Sequence, residues 1–300
     1  MEVNNTLKKE TRFRAFQEIY FSISYALLIA NFLVNGFIFT IIVCKQSLRR
    51  TLSNIIIANL LLTMMFVNLI AVLYNFQVTN VKAEMIQTAI LPFFMALIVM
   101  AIDRFLCIRF PFQYQNLSYR KSITLIVVTI WFPFFVWFPI TECVNRYEFN
   151  LDLTEIVITI SAMIILIIAN TYVYSVALCH HRKISTQKKL RKSSTENSFQ
   201  KQSSSRIWRS LLISFLLTAS FIVGFTMNLV IRILRLADQI SLEKEIWLNR
   251  INYPILNLKN TVCPIICVAL NKSLRKAVRT IIWRRKTRES LERKRENHNI

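Results

Sequence analysis

Residues 51–76 read "TLSNIIIANLLLTMMFVNLIAVLYNF", a stretch that contains no charged side chain. A helix needs about 20 residues to cross the hydrocarbon core of a bilayer. Backbone groups in lipid must hydrogen-bond within their own segment or close a barrel, and this stretch lacks the alternation of a barrel strand. It therefore predicts a membrane-spanning helix.

Six further apolar runs of comparable length follow the same pattern. Five of them contain no charge and the last contains only Lys259; they cover residues 19–44, 85–102, 122–141, 156–179, 210–231 and 251–270. A hydrophobic content of 54%, a mean hydropathy of +0.42 and only two glycines also indicate a membrane protein. The sequence predicts an all-α membrane protein, a seven-transmembrane helix bundle over residues 18–270.

The distribution of basic residues predicts the orientation of the bundle, because short loops rich in Lys and Arg stay in the cytosol. Basic segments alternate along the chain with neutral or acidic ones; the basic ones are 45–50, 103–121, 180–209 and 271–300. This pattern places an N-terminal arm, residues 1–17, outside the cell, in a multi-pass protein of the plasma membrane. The arm contains the sequon Asn4-Asn5-Thr6, so Asn4 is a candidate glycosylation site.

The net charge of +22 lies in segments that flank the membrane. Anionic lipids of the inner leaflet are therefore the expected partners of these segments, and no motif indicates nucleic-acid binding. Segment 180–209 has no apolar period and is expected to be a flexible loop whose ends extend the fifth and sixth helices.

The C-terminal region is predicted to leave the bundle as an interfacial amphipathic helix over residues 271–283. Its apolar face combines Leu274, Ala277, Val278, Ile281 and Ile282, at helical spacing. Residues 284–300 form a basic cytosolic tail.

Residues 100–110, "MAIDRFLCIRF", place an acid next to a base at the predicted cytosolic end of the third run. One interpretation is that Arg104 extends from a helix end to the membrane interface, as many arginines do. The other is that Arg104 pairs with Asp103 in one conformation and with a partner protein in another.

"AIDRFLCIRFPFQY" resembles the Asp-Arg-Tyr stretch of the rhodopsin-like G-protein-coupled receptors, with Phe105 in place of the tyrosine. "LRRTLSNIIIANLLL" is similar to that family's first cytosolic loop and second helix, and "CPIICVALNKSLRKAV" to its seventh-helix motif and the helix that follows. The helix-packing residues of the family correspond to Asn35, Asn59, Trp131 and Pro264.

The resemblance covers nearly the whole chain and implies a divergent member of that family. Such a receptor would transmit the binding of an extracellular ligand to a heterotrimeric G protein through Asp103, Arg104 and Phe105. It would need no cofactor and would not be an enzyme; the sequence has no nucleophile triad, paired intramembrane carboxylates or phosphate-binding loop.

Several positions depart from the family pattern. Met64 stands where the family has an intramembrane aspartate, and Cys263 and Cys267 replace the asparagine and tyrosine of the seventh-helix motif. We expect the two cysteines to be packing residues and predict no metal site. The departures leave a non-signalling receptor-like protein open, as a dimer partner or ligand scavenger; a transporter or channel is less favoured, because the runs show no repeat.

The ligand pocket implied by the resemblance opens outward. Its expected lining is Gln87, Thr88, Pro92, Asn228, Asn252, Tyr253 and Lys259. An ionisable side chain within a bilayer indicates a functional site. Four interpretations of Lys259 are open. Its amine loses its proton, its side chain extends to the membrane interface, it hydrogen-bonds Asn31, Asn35 or Asn68, or it neutralises an anionic ligand or chloride. The retinal-bearing lysine of opsins corresponds to Asn257, so no Schiff base is predicted.

Overall fold

The computed structural model describes residues 2–75, 85, 88–110, 113–114, 119–144, 151–190 and 197–282, and these ranges contain no β-strand. A short helical turn, Gln46–Arg49, joins the first two long helices. The remaining helices are α1 (Glu2–Cys44), α2 (Leu52–Asn75), α3 (Leu91–Arg109), α4 (Tyr119–Val144), α5 (Leu151–Leu190), α6 (Asn197–Leu236), α7 (Leu242–Leu270) and α8 (Lys272–Ile282).

Six helices in the described part of the chain, α1 to α6, contain segments long and apolar enough to cross a membrane. The second half of α7, Pro254–Leu270, meets the same requirement only together with α8, from which it is bent by 97°. Length and composition therefore give six spans, or seven if this bent pair counts as one. The predicted class, a multi-pass helical membrane protein, is confirmed.

Helix α3 differs in position from the run that predicted it. It begins at Leu91, with Pro92 in its first turn, where the fixed φ of proline suits a helix start. It continues past Ile102 to Arg109, with Asp103 and Arg104 only 5% and 8% exposed. The helix thus extends seven residues beyond the apolar run, which ends at Ile102. The first charge marked the end of the apolar run, but the helix continues because both charged side chains are buried within the bundle.

Helices α1, α5 and α6 are longer than their apolar runs. Helix α1 begins at Glu2 and so includes nearly all of the predicted arm, while α5 extends to Leu190 and α6 begins at Asn197. The ends of segment 180–209 extend both helices, as predicted. The described residues of this segment are helical, and the middle of the predicted loop, residues 191–196, lies outside the described residues.

Polar side chains connect α7 with α1 and α2 inside the bundle. The Asn31 amide donates to the carbonyl oxygen of Asn257 at 2.9 Å, and the Thr261 hydroxyl donates to Asn31 Oδ1. On α2, Asn68 Oδ1 accepts from Asn260 Nδ2 at 3.4 Å. Side-chain bonds of this kind help to hold helices together in lipid, where water does not drive their association.

A second polar cluster joins α5 to α6. Asn170 Nδ2 donates to Thr218 Oγ1 at 3.0 Å, and Asn170 Oδ1 accepts from Ser214 Oγ at 2.9 Å. The amide thus uses both its donor and its acceptor across the interface.

Asn271 fixes the junction between α7 and α8. Its Oδ1 accepts from the backbone amides of Ser273 and Leu274, which caps the start of α8. Its Nδ2 donates to Asn54 Oδ1 on α2 at 2.8 Å. Leu274 and Ala277 then turn into the core, and Val278 and Ile281 pack against it. One face of α8 is therefore apolar and buried, as its sequence period predicts, although Ile282 is exposed.

We expect Asn271→Ala to destabilise this junction. The variant loses a helix cap that contributes about 1 kcal/mol and an interhelical bond that contributes about 0.6 kcal/mol. The thermal midpoint of the purified protein in nanodiscs should fall, and the amides of Ser273 and Leu274 should exchange with deuterium faster. Ser273→Ala, at the adjacent exposed position, is the control. Unchanged exchange in the Asn271 variant would contradict the assignment.

Candidate functional site

The carboxylate of Asp103 joins three parts of the chain at one end of α3. Its Oδ1 accepts a 2.5 Å hydrogen bond from the Tyr114 hydroxyl, and its Oδ2 accepts a 3.1 Å bond from Ser53 on α2. The guanidinium of Arg104 lies 3.5 Å from the same Oδ2. Helix α2, helix α3 and the segment after α3 therefore meet at a single buried acid.

Tyr114 remains a hydrogen-bond donor at neutral pH. Its burial, and then the negative charge and hydrogen bond of Asp103, raise the pKa of the phenol above its ordinary value. Sequence reasoning did not include Tyr114 or Ser53. The available signals were a tyrosine shortly after Asp103 and a serine at the start of α2, and neither identifies a partner by itself.

Arg104 also lines a cavity of about 470 Å³ on this side of the bundle. Residues of α2, α3, α6 and the α7–α8 junction form its wall, among them Asn54, Ile213, Asn271 and Lys276. Two of its lining residues in α8 are lysines, and none of the described lining residues is acidic. The described lining of the cavity is therefore basic.

Phe105 lies on a different side of α3 from the carboxylate cluster. Its ring contacts Tyr172 of α5, with ring centres 5.6 Å apart, and Phe110, with ring centres 6.1 Å apart. It packs against a small apolar cluster that includes Val173 and Leu211. Phe105 therefore joins α3 to α5, while its neighbours Asp103 and Arg104 carry the polar contacts.

The other motif residues are packing elements of the core. Asn35 and Asn59 donate to carbonyl oxygens one turn earlier in their own helices, and the Trp131 ring meets Phe66 edge-on at 5.4 Å. The remaining motif residues are buried, with Met64 1% exposed and the two thiols fully buried: Met64, Cys263, Pro264 and Cys267. An apolar side chain thus fills the position where the family resemblance implies an acid.

The residues predicted to line the ligand pocket divide into three groups. Thr88 and Asn228 line a cavity of about 40 Å³, and Asn228 and Lys259 line a neighbouring cavity of about 160 Å³. Pro92 and Asn252 are buried but line neither cavity. The third group, Gln87 and Tyr253, lies outside the described side chains, and so does the separate glycosylation candidate Asn4.

Lys259 is buried against three aromatic rings. Its Nζ lies 4.0 Å from the ring centre of Phe225, 4.8 Å from that of Phe93 and 5.4 Å from that of Phe221. The two α6 rings are themselves packed together, with centres 4.5 Å apart. The side chain therefore stays inside the bundle, so the interpretation that it extends to the membrane interface is wrong.

The predicted hydrogen bonds from Lys259 to asparagines are also wrong. Asn31 and Asn35 bond to other groups of α1 and α7, and Asn68 accepts from Asn260. A ring face contributes about 0.5–2 kcal/mol to a nearby cation. Burial of an ammonium ion costs several kcal/mol, so the rings offset only part of the burial of a charged Lys259.

Gly224 allows α6 to approach Lys259 closely. A Cβ at this position would lie 2.8 Å from Lys259 Cδ, well inside normal contact distance. This is one of only two glycines in the chain. The rarity of glycine, and phenylalanines four residues apart on α6, were signals that could have indicated the lysine environment.

Comparison of the chain with protein-family models finds no match, and no curated protein matches it. The functional interpretation therefore depends on the geometry described above and on the resemblance in sequence.

We expect Gly224→Ala to lower the midpoint temperature of thermal unfolding. The new methyl group displaces Lys259 from the rings, which lowers the free energy of unfolding by about 1–3 kcal/mol. Gly36→Ala is the matched control, since its Cβ would meet only the flexible end of Met65 at 3.4 Å.

A double-mutant cycle tests the cause of this loss. In a Lys259→Ala background the clash with Cδ is absent, so Gly224→Ala should become nearly neutral. An equal loss of stability in both backgrounds would show that the lysine is not what Gly224 accommodates.

Proposed function

We propose that the protein is a divergent rhodopsin-like receptor, a seven-helix bundle of the plasma membrane with its N-terminus outside. In this proposal it transmits the binding of an extracellular ligand to a heterotrimeric G protein through Asp103 and Arg104. It performs no covalent chemistry. The observation that carries the proposal is the Asp103 cluster, in which one buried carboxylate holds Ser53, Tyr114 and Arg104 beside a basic cavity.

The contacts of Asp103 allow the Arg104 side chain to adopt two arrangements, one paired with Asp103 and one apart from it. Asp103 has two fixed donors from other parts of the chain and a longer contact to Arg104, at 3.5 Å. Arg104 can therefore move away from Asp103 while the carboxylate keeps its hydrogen bonds to Ser53 and Tyr114. Its side chain already borders the cavity of about 470 Å³. A ligand that favours a wider cavity would shift the population toward the arrangement that admits a G protein.

The chain's charge distribution supports the proposed orientation. The Asp103 cluster and the two α8 lysines of the cavity lie at the end of the bundle where the basic segments gather. Those segments are expected to contact anionic lipids of the inner leaflet.

A receptor-like protein that does not signal is the second candidate. It is favoured by the identities of Met64, Cys263 and Cys267, all of which are buried in the core. At the corresponding positions the family resemblance implies polar groups. Surface expression with ligand uptake but no G-protein recruitment would identify this second function.

Recruitment of each G-protein class in living cells, measured by resonance energy transfer without ligand, tests the proposal. We expect measurable recruitment by the parent protein and its loss in Arg104→Ala at matched surface expression. Recruitment that is unchanged in the variant would overturn the role of Arg104. Absence of recruitment by the parent protein, both alone and in a ligand screen, would favour the non-signalling candidate.

Tyr114→Phe should lower ligand-independent recruitment by up to about tenfold. The substitution keeps the ring but removes a hydrogen bond to a carboxylate, which contributes about 1.5–3 kcal/mol. Because Asp103 keeps this bond in both arrangements, its loss makes the carboxylate more dependent on Arg104, and part of that free energy favours the resting arrangement. Tyr172→Phe is the control, because the exposed Tyr172 touches Phe105 by its ring and shows no hydrogen bond from its hydroxyl. Equal recruitment by both variants would contradict the role of Tyr114.

A further inference from the structure

The cavity beside Lys259 has a distinctive balance of polar groups. It has a volume of about 160 Å³ and lies among α2, α3, α6 and α7. Two cationic side chains, Lys259 and Arg232, line it together with the amides of Asn68 and Asn257, and no described lining residue is acidic. The remaining wall is mainly apolar and includes Val67, Phe93 and Leu256.

Three buried donors in this wall have no acceptor among the described residues. Asn68 uses its Oδ1 to accept from Asn260, which leaves its Nδ2 without a partner. The Nδ2 of Asn257 is also without a partner, although the backbone carbonyl of the same residue accepts from Asn31. Lys259 Nζ contacts three ring faces and has no hydrogen-bond acceptor among the described residues.

A buried donor without an acceptor is rare in native proteins, and each one calls for an explanation. An ammonium carries donors and no acceptor, and an unpaired amide nitrogen adds further donors. A group with acceptor oxygens and a negative charge would satisfy the Lys259 ammonium, the charged donor of the three. A carboxylate has both properties, and hydrogen bonds to a charged group are about twice as strong as neutral ones.

We propose that this cavity binds a small organic carboxylate. The carboxylate would lie against the Lys259 ammonium, and the short apolar body would contact Val67, Phe93 and Leu256. The proposal deepens the proposed receptor function, since it assigns a chemical class to the ligand, and it rests on that function only for the link to signalling.

The volume limits the size of the ligand. Drug-sized ligands occupy sites of about 300–1,000 Å³, which is well above the volume found here. Water occupies about 30 Å³ per molecule in the liquid, so the cavity corresponds to roughly five waters. Butyrate, with a carboxylate and a three-carbon body, is a suitable probe. Butyramide has nearly the same shape but no charge.

The test is binding to the purified full-length protein in nanodiscs of zwitterionic lipid. Sodium butyrate, butyramide and sodium chloride are added separately. Sodium lactobionate keeps the ionic strength constant, because its anion is too large for the cavity. Two quantities are measured, the thermal unfolding midpoint and the line width of carbon-13-labelled butyrate in NMR spectra. A ligand that binds only the folded state raises the midpoint as its concentration increases.

We expect butyrate to raise the midpoint in a saturable manner and to show line broadening, and butyramide and chloride to do neither. Lys259→Met should weaken butyrate binding by at least about tenfold, because it removes the charged donor that the carboxylate contacts. Lys244→Met, at an exposed position near the start of α7, should bind like the parent protein.

Each other outcome overturns the proposal. No effect of butyrate on the folded parent protein would exclude a small carboxylate as the ligand of this cavity. This measurement requires no variant. An equal effect of butyramide would show an uncharged ligand site, and an effect of chloride alone would show an inorganic anion site. Retained binding in a folded Lys259→Met protein would place the site elsewhere.

The failure of this proposal can be told apart from the failure of the receptor function. Binding without any G-protein recruitment would leave the carboxylate site in place and overturn the signalling role. Recruitment that depends on Arg104, in a protein that does not bind butyrate, would overturn the carboxylate site alone.

Discussion

Helix α7 carries a dense group of polar side chains in the middle of an otherwise apolar segment: Asn257, Lys259, Asn260 and Thr261. Hydrocarbon supplies no water to satisfy them, so neighbouring helices must do so. Asn31 of α1 bonds to Asn257 and Thr261, Asn68 of α2 bonds to Asn260, and aromatic rings of α3 and α6 surround Lys259. The position of α7 therefore depends on four other helices, and theirs depends on α7.

The aromatic cluster around Lys259 makes α6 sensitive to what lies in the adjacent cavity. Phe221 and Phe225 of α6 pack on Phe93 and Phe94 of α3, and Gly224 lets the lysine lie between the helices. Further along the same helix, Ile213 lines the cavity that contains Arg104. Helix α6 thus touches both cavities. Under the proposed function, a small rotation of this single element would connect ligand binding to the opening of the Arg104 cavity.

The identities of the buried residues Met64, Cys263 and Cys267 constrain any such mechanism. Interactions that depend on an intramembrane acid or on a seventh-helix tyrosine cannot operate with these side chains. Cys263 Sγ lies 3.7 Å from Ser220 Oγ, and other polar contacts between helices lie at the Asp103 cluster, the Asn271 junction, Asn170 and the asparagines of α7. A receptor of this type would keep the cytosolic element of the family and use a different arrangement in the middle of the bundle.

The sequence by itself determined the helical class and most of the spans. The uncharged run 51–76 became α2, and run 156–179 became the apolar segment of α5, because the demand for internal backbone hydrogen bonds acts within each segment. The apolar period of residues 274–282 likewise predicted α8 and, apart from Ile282, its buried face. These properties are local and can be predicted from composition and spacing.

Only the tertiary structure decided where α3 ends and which groups meet Asp103 and Lys259. Ser53 lies 50 positions from Asp103 in the chain, and Asn31 lies 226 positions from Asn257. Hydrophobic spacing indicates that a helix exists, but not how far it rotates or which neighbour its polar face meets. In lipid, apolar faces are nearly equivalent, so the pairing of helices depends on a few polar and aromatic side chains from distant parts of the chain.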